Sequence, residues 1–448
     1  MTTRFHISSM GIPVNDAWDV IVVGGGPAGC AAAAAAAREG AKTLIIEATG
    51  TLGGMGTSAL VPMWCPIWDK EKVVYRGISE KVVNACKEGM AHVAKTDMEW
   101  IPIDAERLKR IYDALVTDAG ATILFNTFVC GVEAGDDGVV TGIVLANKNG
   151  LTACRAKVYI DCSGDADLAA WAGAEFQKGD EHGEMQPVTL CFQLSNVDHY
   201  AYKYGMELHP GNKQSPIYPI VASGKFPLIK DTHIVTCATG PGTVGLNAGH
   251  LWDVDNTDPV SVSKAMVEGR KLASQFRDAL AEYYPKPFAN AHLVATGSLI
   301  GARETRRIVG DYVLNVNDYN DRRSFSDEVC RNSYFLDVHT SKDEIEESKK
   351  GFEHFAARCK HYGPGESHGI PYRCFTPKTL KNVLVAGRSI SCDRPVQGSV
   401  RIMPLCLVMG EVTGVAAAHA LQSAKCDVHK VDVPRLRTRL RELDVYFQ

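Results

Sequence analysis

The sequence predicts an α/β protein: a parallel, helix-flanked sheet interrupted by an inserted α+β domain. Three observations predict it. The run Asp19-Val20-Ile21-Val22-Val23 is apolar on both faces, as in a strand buried within a parallel sheet. A glycine-rich turn, Gly24-Gly25-Gly26-Pro27-Ala28-Gly29, follows at once, and the alanines from Ala31 to Ala37 then read as a helix closed near Gly40. A second strand, Lys42 to Ile46, ends on Glu47 and completes a βαβ unit in about thirty residues.

The later elements follow in order. Leu108, Ile111, Leu115 and Val116 recur at helical spacing between Asp104 and Gly120. Strands are expected over Thr122 to Val129, Val139 to Ala146 and Lys157 to Asp161, with the turn Gly135-Asp136-Asp137-Gly138 between the first two. A helix is expected from Ser261 to Tyr284, a last strand from Asn382 to Ala386, and a last helix after Pro404. The ends therefore read as one domain, 16–173 and 366–424, and the middle, 174–365, as an insertion; 425–448 reads as a tail. The final Val445-Tyr446-Phe447-Gln448 resembles a tag remnant and is set aside from the fold.

Composition narrows the function classes. With 448 residues, 45% hydrophobic and 22% charged, the chain is long enough for two cores and is neither fibrous nor disordered. A net charge of -4 gives no global attraction for nucleic acid. The arginines at 435, 437, 439 and 441 are followed by Glu442 and Asp444 and read as a solvated face. The fourteen cysteines include no C-x-x-C, so neither a zinc site nor a disulfide framework is expected. His354, His361 and His368 recur every seven residues without further ligands, so no metal is expected there. The apolar stretch Met403 to Ala420 is broken by Glu411 and His419, no leader is apparent, and a cytoplasmic protein without a membrane span is expected.

The glycine turn carries chemistry because of where it stands. Gly24 permits a tight turn, Gly26 lets backbone approach a pyrophosphate, and Gly29 lets helix and strand pack closely. The helix N-terminus offers free N–H groups to phosphate, and Glu47 can accept the hydroxyls of an adenosine ribose. A second match, Gly240-Pro241-Gly242-Thr243-Val244-Gly245, lacks a following helix and is read as a decoy, which argues against a separate nicotinamide domain.

These residues, with the loop Gly53-Gly54-Met55-Gly56-Thr57, resemble the start of FAD-dependent oxidoreductases with the glutathione-reductase-type flavin fold. More narrowly, the chain resembles the bacterial family that includes tricarballylate-dehydrogenase-like members. Asp161-Cys162-Ser163-Gly164-Asp165-Ala166-Asp167 is similar to that family's D-A-T-G-D-x-D stretch, with Cys162 and Ser163 replacing Ala and Thr. Gly301 to Tyr312, Ile370 to Arg373, Val385 to Ser391 and Gly398 to Pro404 look like further family blocks.

The resemblance implies a Rossmann-type FAD-binding domain. Its cofactor residues would be Gly24, Gly26, Pro27, Ala28, Gly29, Glu47, Gly53, Gly54, Met55, Thr57, Ser163, Gly164, Gly387, Arg388, Gly398, Ser399, Val400, Arg401 and Ile402. The helix start near Pro404 would face the pyrimidine edge of the flavin. It also implies hydride transfer between a small polar substrate (a sugar, polyol or organic acid) and flavin N5, with oxygen, a quinone or a protein carrier as acceptor. His250 and His368, with His182, are candidate bases, and Arg303, Arg306 and Arg401 candidate carboxylate anchors. Arg303 and Arg306 serve equally well as braces through Glu304 and Asp311. The alternatives are an NAD(P)-dependent dehydrogenase, or a flavin module that modifies RNA or is not catalytic; a homodimer is compatible with the sequence.

Overall fold

The computed structural model describes residues 11–339 and 361–448. Five parallel strands form its central sheet: β1 (Val20–Val23), β2 (Thr43–Ile46), β3 (Thr122–Leu124), β4 (Val158–Asp161) and β5 (Val383–Val385), in the order β5-β4-β1-β2-β3. Every residue of β1, β2, β4 and β5 is buried, which is why these strands are apolar on both faces. After β1 the chain builds the sheet in one direction, and from β4 in the other. The carboxyl ends of β1 and β4 thus bound a switch point, where open α/β sheets leave a crevice.

Six helices serve the site and the cores: α1 (Pro27–Arg38), α2 (Ala105–Asp118), α3 (Pro259–Tyr283), α4 (Arg394–Val400), α5 (Met403–Ser423) and α6 (Val433–Glu442). Asp104 caps α2 by accepting the Arg107 N–H at 3.1 Å. Helix α1 is buried from Pro27 to Ala36 and lies against α5. A Cβ on Gly410 would come 2.0 Å from the Ala28 carbonyl oxygen, and one on Gly414 2.4 Å from that of Ala32, so two glycines set this close approach. Helix α5 has the length and composition to cross a membrane, but Met403 to Ala420 are all buried inside the protein.

The inserted domain has its own core, from Val188 to Ala302. Its antiparallel sheet has the order Ile234–Gly240, Thr243–Ala248, Phe192–Ser195, His292–Thr296, and α3 buries Leu272, Ala273 and Phe276 against it. The decoy glycines at 240 and 242 make the turn of the first hairpin, with Gly242 at φ +63°.

Two expected boundaries shift. Leu314, Tyr319, Val329 and Cys330 fall within the insertion predicted over 174–365, yet they pack into the core of the flanking domain with α1 and α5. The tail is also part of that core: Leu436 and Leu440 of α6 are fully buried, and Val445 and Phe447 nearly so. The predicted strand from Thr122 to Val129 is two strands, separated at Asn126, which takes φ +50°. In each case a tertiary contact overrides local pattern.

Candidate active site

A cavity of about 1440 Å³ opens at the switch point and runs into the inserted domain. It exceeds the roughly 300–1,000 Å³ of ordinary small-ligand pockets, and so has room for a dinucleotide and a substrate together. On the sheet side, Gly24 at φ +96° turns the chain out of β1; a Cβ there would lie 2.5 Å from the Cys162 carbonyl oxygen. A Cβ on Gly26 would meet nothing within 4 Å, so this backbone faces open space at the α1 N-terminus. Glu47 accepts the Gly25 N–H and the Thr49 N–H, each at 2.7 Å, one on each carboxylate oxygen. Each oxygen keeps further acceptor capacity toward the cavity that Glu47 lines.

Asp161 ties down the turn after β4. Buried, it accepts the Ser163 N–H and hydroxyl (3.0 and 2.7 Å) and the Ala169 N–H (2.9 Å). Burial pushes its carboxyl above the usual value. Asp165 accepts from Arg388 at 2.6 Å, while the Arg388 Nε is buried without a partner among the described residues. The α5 N-terminus closes this side through Arg401, Ile402 and Met403.

These features fit FAD. Glycine backbone and a helix N-terminus suit a pyrophosphate, Glu47 suits a ribose, and the α5 N-terminus suits the electron-rich edge of a flavin. The family profile described as FAD dependent oxidoreductase matches residues 19–440. The chain belongs to the FAD-dependent oxidoreductase family. FAD is its cofactor, and the fold is of the FAD-binding Rossmann type.

Relatives of this flavoprotein are distant. It is similar to the digeranylgeranylglycerophospholipid reductase of Methanocaldococcus jannaschii, 27% identical over 218 residues, which is 45% of this chain and 51% of that protein. The chain thus covers about half the length of that curated relative. Among solved structures it is similar to a geranylgeranyl bacteriochlorophyll reductase-like protein from Thermoplasma acidophilum, at 15% identity and a TM-score of 0.46, covering 97% of this chain and 84% of that one. It is likewise similar to an aromatic hydroxylase of angucycline biosynthesis, at 13% identity and a TM-score of 0.47, covering 95% and 67%.

The inserted-domain side of the flavoprotein's cavity is built from side chains. Arg303 is buried, and its Nη1 donates to the Pro187 carbonyl and the Thr189 hydroxyl, both at 2.9 Å. Burial, with the nearby Arg401 charge, brings it down to about 10, so it stays a cation at neutral pH. Arg401 donates to the Asp337 carbonyl at 2.7 Å, and its buried Nε has no partner among the described residues. Beside them stand His233, His250 and His339, whose nearest ring nitrogens lie within 4.8 Å of one another. Burial lowers all three from the usual histidine value, His339 to about 3.

The expected site residues separate into three groups. Gly24, Gly26, Pro27, Ala28, Glu47, Gly54, Met55, Ser163, Gly164, Gly387, Arg388, Arg401 and Ile402 line the cavity, as does Arg303. Gly29, Gly53 and Thr57 lie behind its wall: a Cβ on Gly29 would sit 1.8 Å from the Gly24 carbonyl oxygen, and the Thr57 hydroxyl donates to Leu52. Gly398, Ser399 and Val400 need correction, because they are buried in α4, where Ser399 accepts from Asn332 at 2.7 Å.

The histidines also need correction. His368 does not reach the cavity; it is fully buried in a hairpin, with Nδ1 against the Tyr362 hydroxyl. His182 is exposed beside Glu181. His250 sits one step behind the wall, and His339 and His233 line it instead. His354 lies outside the described residues. Arg306 pairs with Asp167 at 2.7 Å and braces the two domains. The missed residues share an Asp-x-His pattern, Asp231-Thr232-His233 and Asp337-Val338-His339, which also occurs away from the cavity at Asp180-Glu181-His182 and Asp427-Val428-His429.

Proposed function

We propose that this FAD-dependent oxidoreductase dehydrogenates, or in reverse reduces, a small substrate that carries a carboxylate. The observation that carries the reading is the pair Arg303 and Arg401 on the cavity wall: burial and then the Arg401 charge lower the proton affinity of Arg303, where an anion would relieve it. Arg303 has an Nε–H and a second Nη2 proton without close partners among the described residues, and Arg401 has its Nε–H. Such donors suit bidentate capture of a carboxylate. Among sugars, polyols and organic acids, this favours the acids.

Bound FAD supplies the two-electron acceptor that takes the substrate hydrogen as hydride. The chain's residues hold the acid against the cofactor side and exclude water. Oxygen, a quinone or a protein carrier would complete the cycle. All cysteines among the described residues are free thiols, which supports a cytoplasmic setting. The test is anaerobic bleaching of the yellow holoprotein by a panel of hydroxy acids, unsaturated acids, sugars and polyols. Bleaching by acids, lost in Arg303→Met while the protein stays yellow, is expected. Bleaching by neutral polyols alone overturns the reading.

A further inference from the structure

The three histidines beside the arginines form a chain with a direction. His250 Nδ1 lies 2.6 Å from the Asp231 carboxylate, and His250 Nε2 lies 2.8 Å from His339 Nδ1. The last gap, from His339 Nε2 to Asp337, is 3.4 Å, beyond the usual 2.7–3.2 Å of an N–H···O bond. A carboxylate only accepts, so the 2.6 Å contact places a proton on His250 Nδ1. In a neutral ring that leaves Nε2 bare. Two bare nitrogens would repel at 2.8 Å, so the proton between the rings belongs to His339 Nδ1. His339 Nε2 is then the bare nitrogen, and the long gap to Asp337 agrees.

We infer that His339 Nε2 is the proton acceptor and donor of the cavity, and that His250 and Asp231 form the path by which its proton reaches solvent. The inference rests on the oxidoreductase reading and adds the group that handles the proton. His339 lines the cavity, whereas Asp231 does not line it and keeps 16% of its side-chain surface exposed. When the substrate's O–H or N–H bond breaks, a new N–H bond forms at His339 Nε2. The Nδ1 proton of His339 passes to His250 Nε2, and the Nδ1 proton of His250 passes to Asp231 and on to water. One proton enters and one leaves, while the two electrons depart with the hydride. His250 and Asp231 are positioning residues in this scheme.

The surrounding charges agree with it. Burial and Arg303 keep His339 neutral at rest, at about 3. Burial works against the Asp337 carboxylate, but nearby cations, Arg401 and Arg303 among them, hold it below the usual range. An imidazolium formed at His339 would therefore meet an ionised partner. His233 stacks on His250 with ring centroids 4.1 Å apart, and its Nδ1 is buried without a partner among the described residues. A tetrahedral metal with bonds of about 2.0–2.1 Å would hold its ligand atoms about 3.3 Å apart. The 2.8 Å spacing is instead that of a hydrogen bond, and His233 lies face to face with His250 rather than converging on a common point.

The test is nitrogen NMR of the histidine-labelled holoprotein, which needs no substrate. The expected result is a proton on His339 Nδ1, scalar coupling from it to His250 Nε2, and a bare His339 Nε2 at neutral pH. The coupling should vanish in His250→Phe and persist in His233→Phe, with the flavin spectrum unchanged in both. Asp231→Leu should release His250 from its tautomer and weaken the coupling, whereas Asp231→Asn, which keeps an acceptor, should restore most of it. A proton found on His339 Nε2, or a stoichiometric divalent ion held by these histidines, overturns the relay. Neither result bears on which substrate class bleaches the flavin, so failure of the relay and failure of the carboxylate reading are separable.

Discussion

The two halves of the cavity are made differently. The half beside the sheet is mostly backbone, with Gly24 to Ala28, Gly54, Gly164 and Gly387 presenting main chain to the cavity beside the Glu47 carboxylate. The half in the inserted domain is mostly side chains, among them His233, Asn247, Arg303, Asp337, His339 and Arg401. A backbone surface needs a local conformation, which a short glycine pattern encodes. A side-chain surface needs several distant segments to arrive together, and no short pattern encodes that. The first half therefore answers to single backbone substitutions and the second to single functional groups.

The largest expected effect breaks the first half alone. Gly24→Val places a Cβ within 2.5 Å of the Cys162 carbonyl oxygen at a φ that side chains rarely adopt. It should yield colourless protein and cost more than about 3 kcal/mol of stability, read by bound-flavin absorbance and denaturant melts. Unaltered flavin content in this variant would remove the distinction between the halves. Arg303→Met should strike only the second half. Affinity for a bleaching acid should drop by roughly a hundredfold, about 3 kcal/mol, with normal flavin content, as followed by anaerobic titration.

A smaller loss sharpens the border. Glu47→Gln removes the charge that receives the Gly25 N–H and faces the expected ribose. FAD affinity should weaken by about 2 kcal/mol, roughly thirtyfold, measured by equilibrium dialysis of the apoprotein. Substrate affinity of the fully loaded enzyme should not change.

The smallest effect lies in the pH dependence of stability. Asp167, on the sheet side, is raised from 3.8 to about 6, mainly by burial and then by Asp165 and Asp161, despite its Arg306 partner. The folded state thus holds this proton more tightly than the unfolded chain. The stabilisation is complete below about pH 4 and is lost as pH rises through 6. Asp167→Asn should therefore be the more stable protein at pH 7.5, by about 1 kcal/mol after discounting for the side chain's one-third exposure, and should lose that advantage near pH 4. Melting curves at the two pH values check it.

Legibility followed the same division. The βαβ unit, its glycines and Glu47 were readable because each step from strand to turn to helix is local. Gly398 to Val400 were misplaced because a family block spans residues both on the wall and behind it: Arg401 and Ile402 face the cavity, while the preceding turn is sealed in α4. His368 was misread because a glycine-rich loop was expected around it, where the chain instead pairs in a hairpin. His339 left only its Asp-x-His pattern, which occurs four times in the chain and singles out no site until the fold brings the copies at 231 and 337 together.

By itself the sequence determined the parallel sheet, the Rossmann-type fold and FAD, because hydrophobic period and glycine placement act over a few residues. Tertiary structure alone decided that residues 314–334 and the final helix join the flanking core. It alone set the arginine pair and His339 on one wall, with His250 and Asp231 in line behind His339. Those outcomes depend on burial and on hydrogen-bond partners about ninety residues apart, and such partners exist only once both domains have closed around the cavity.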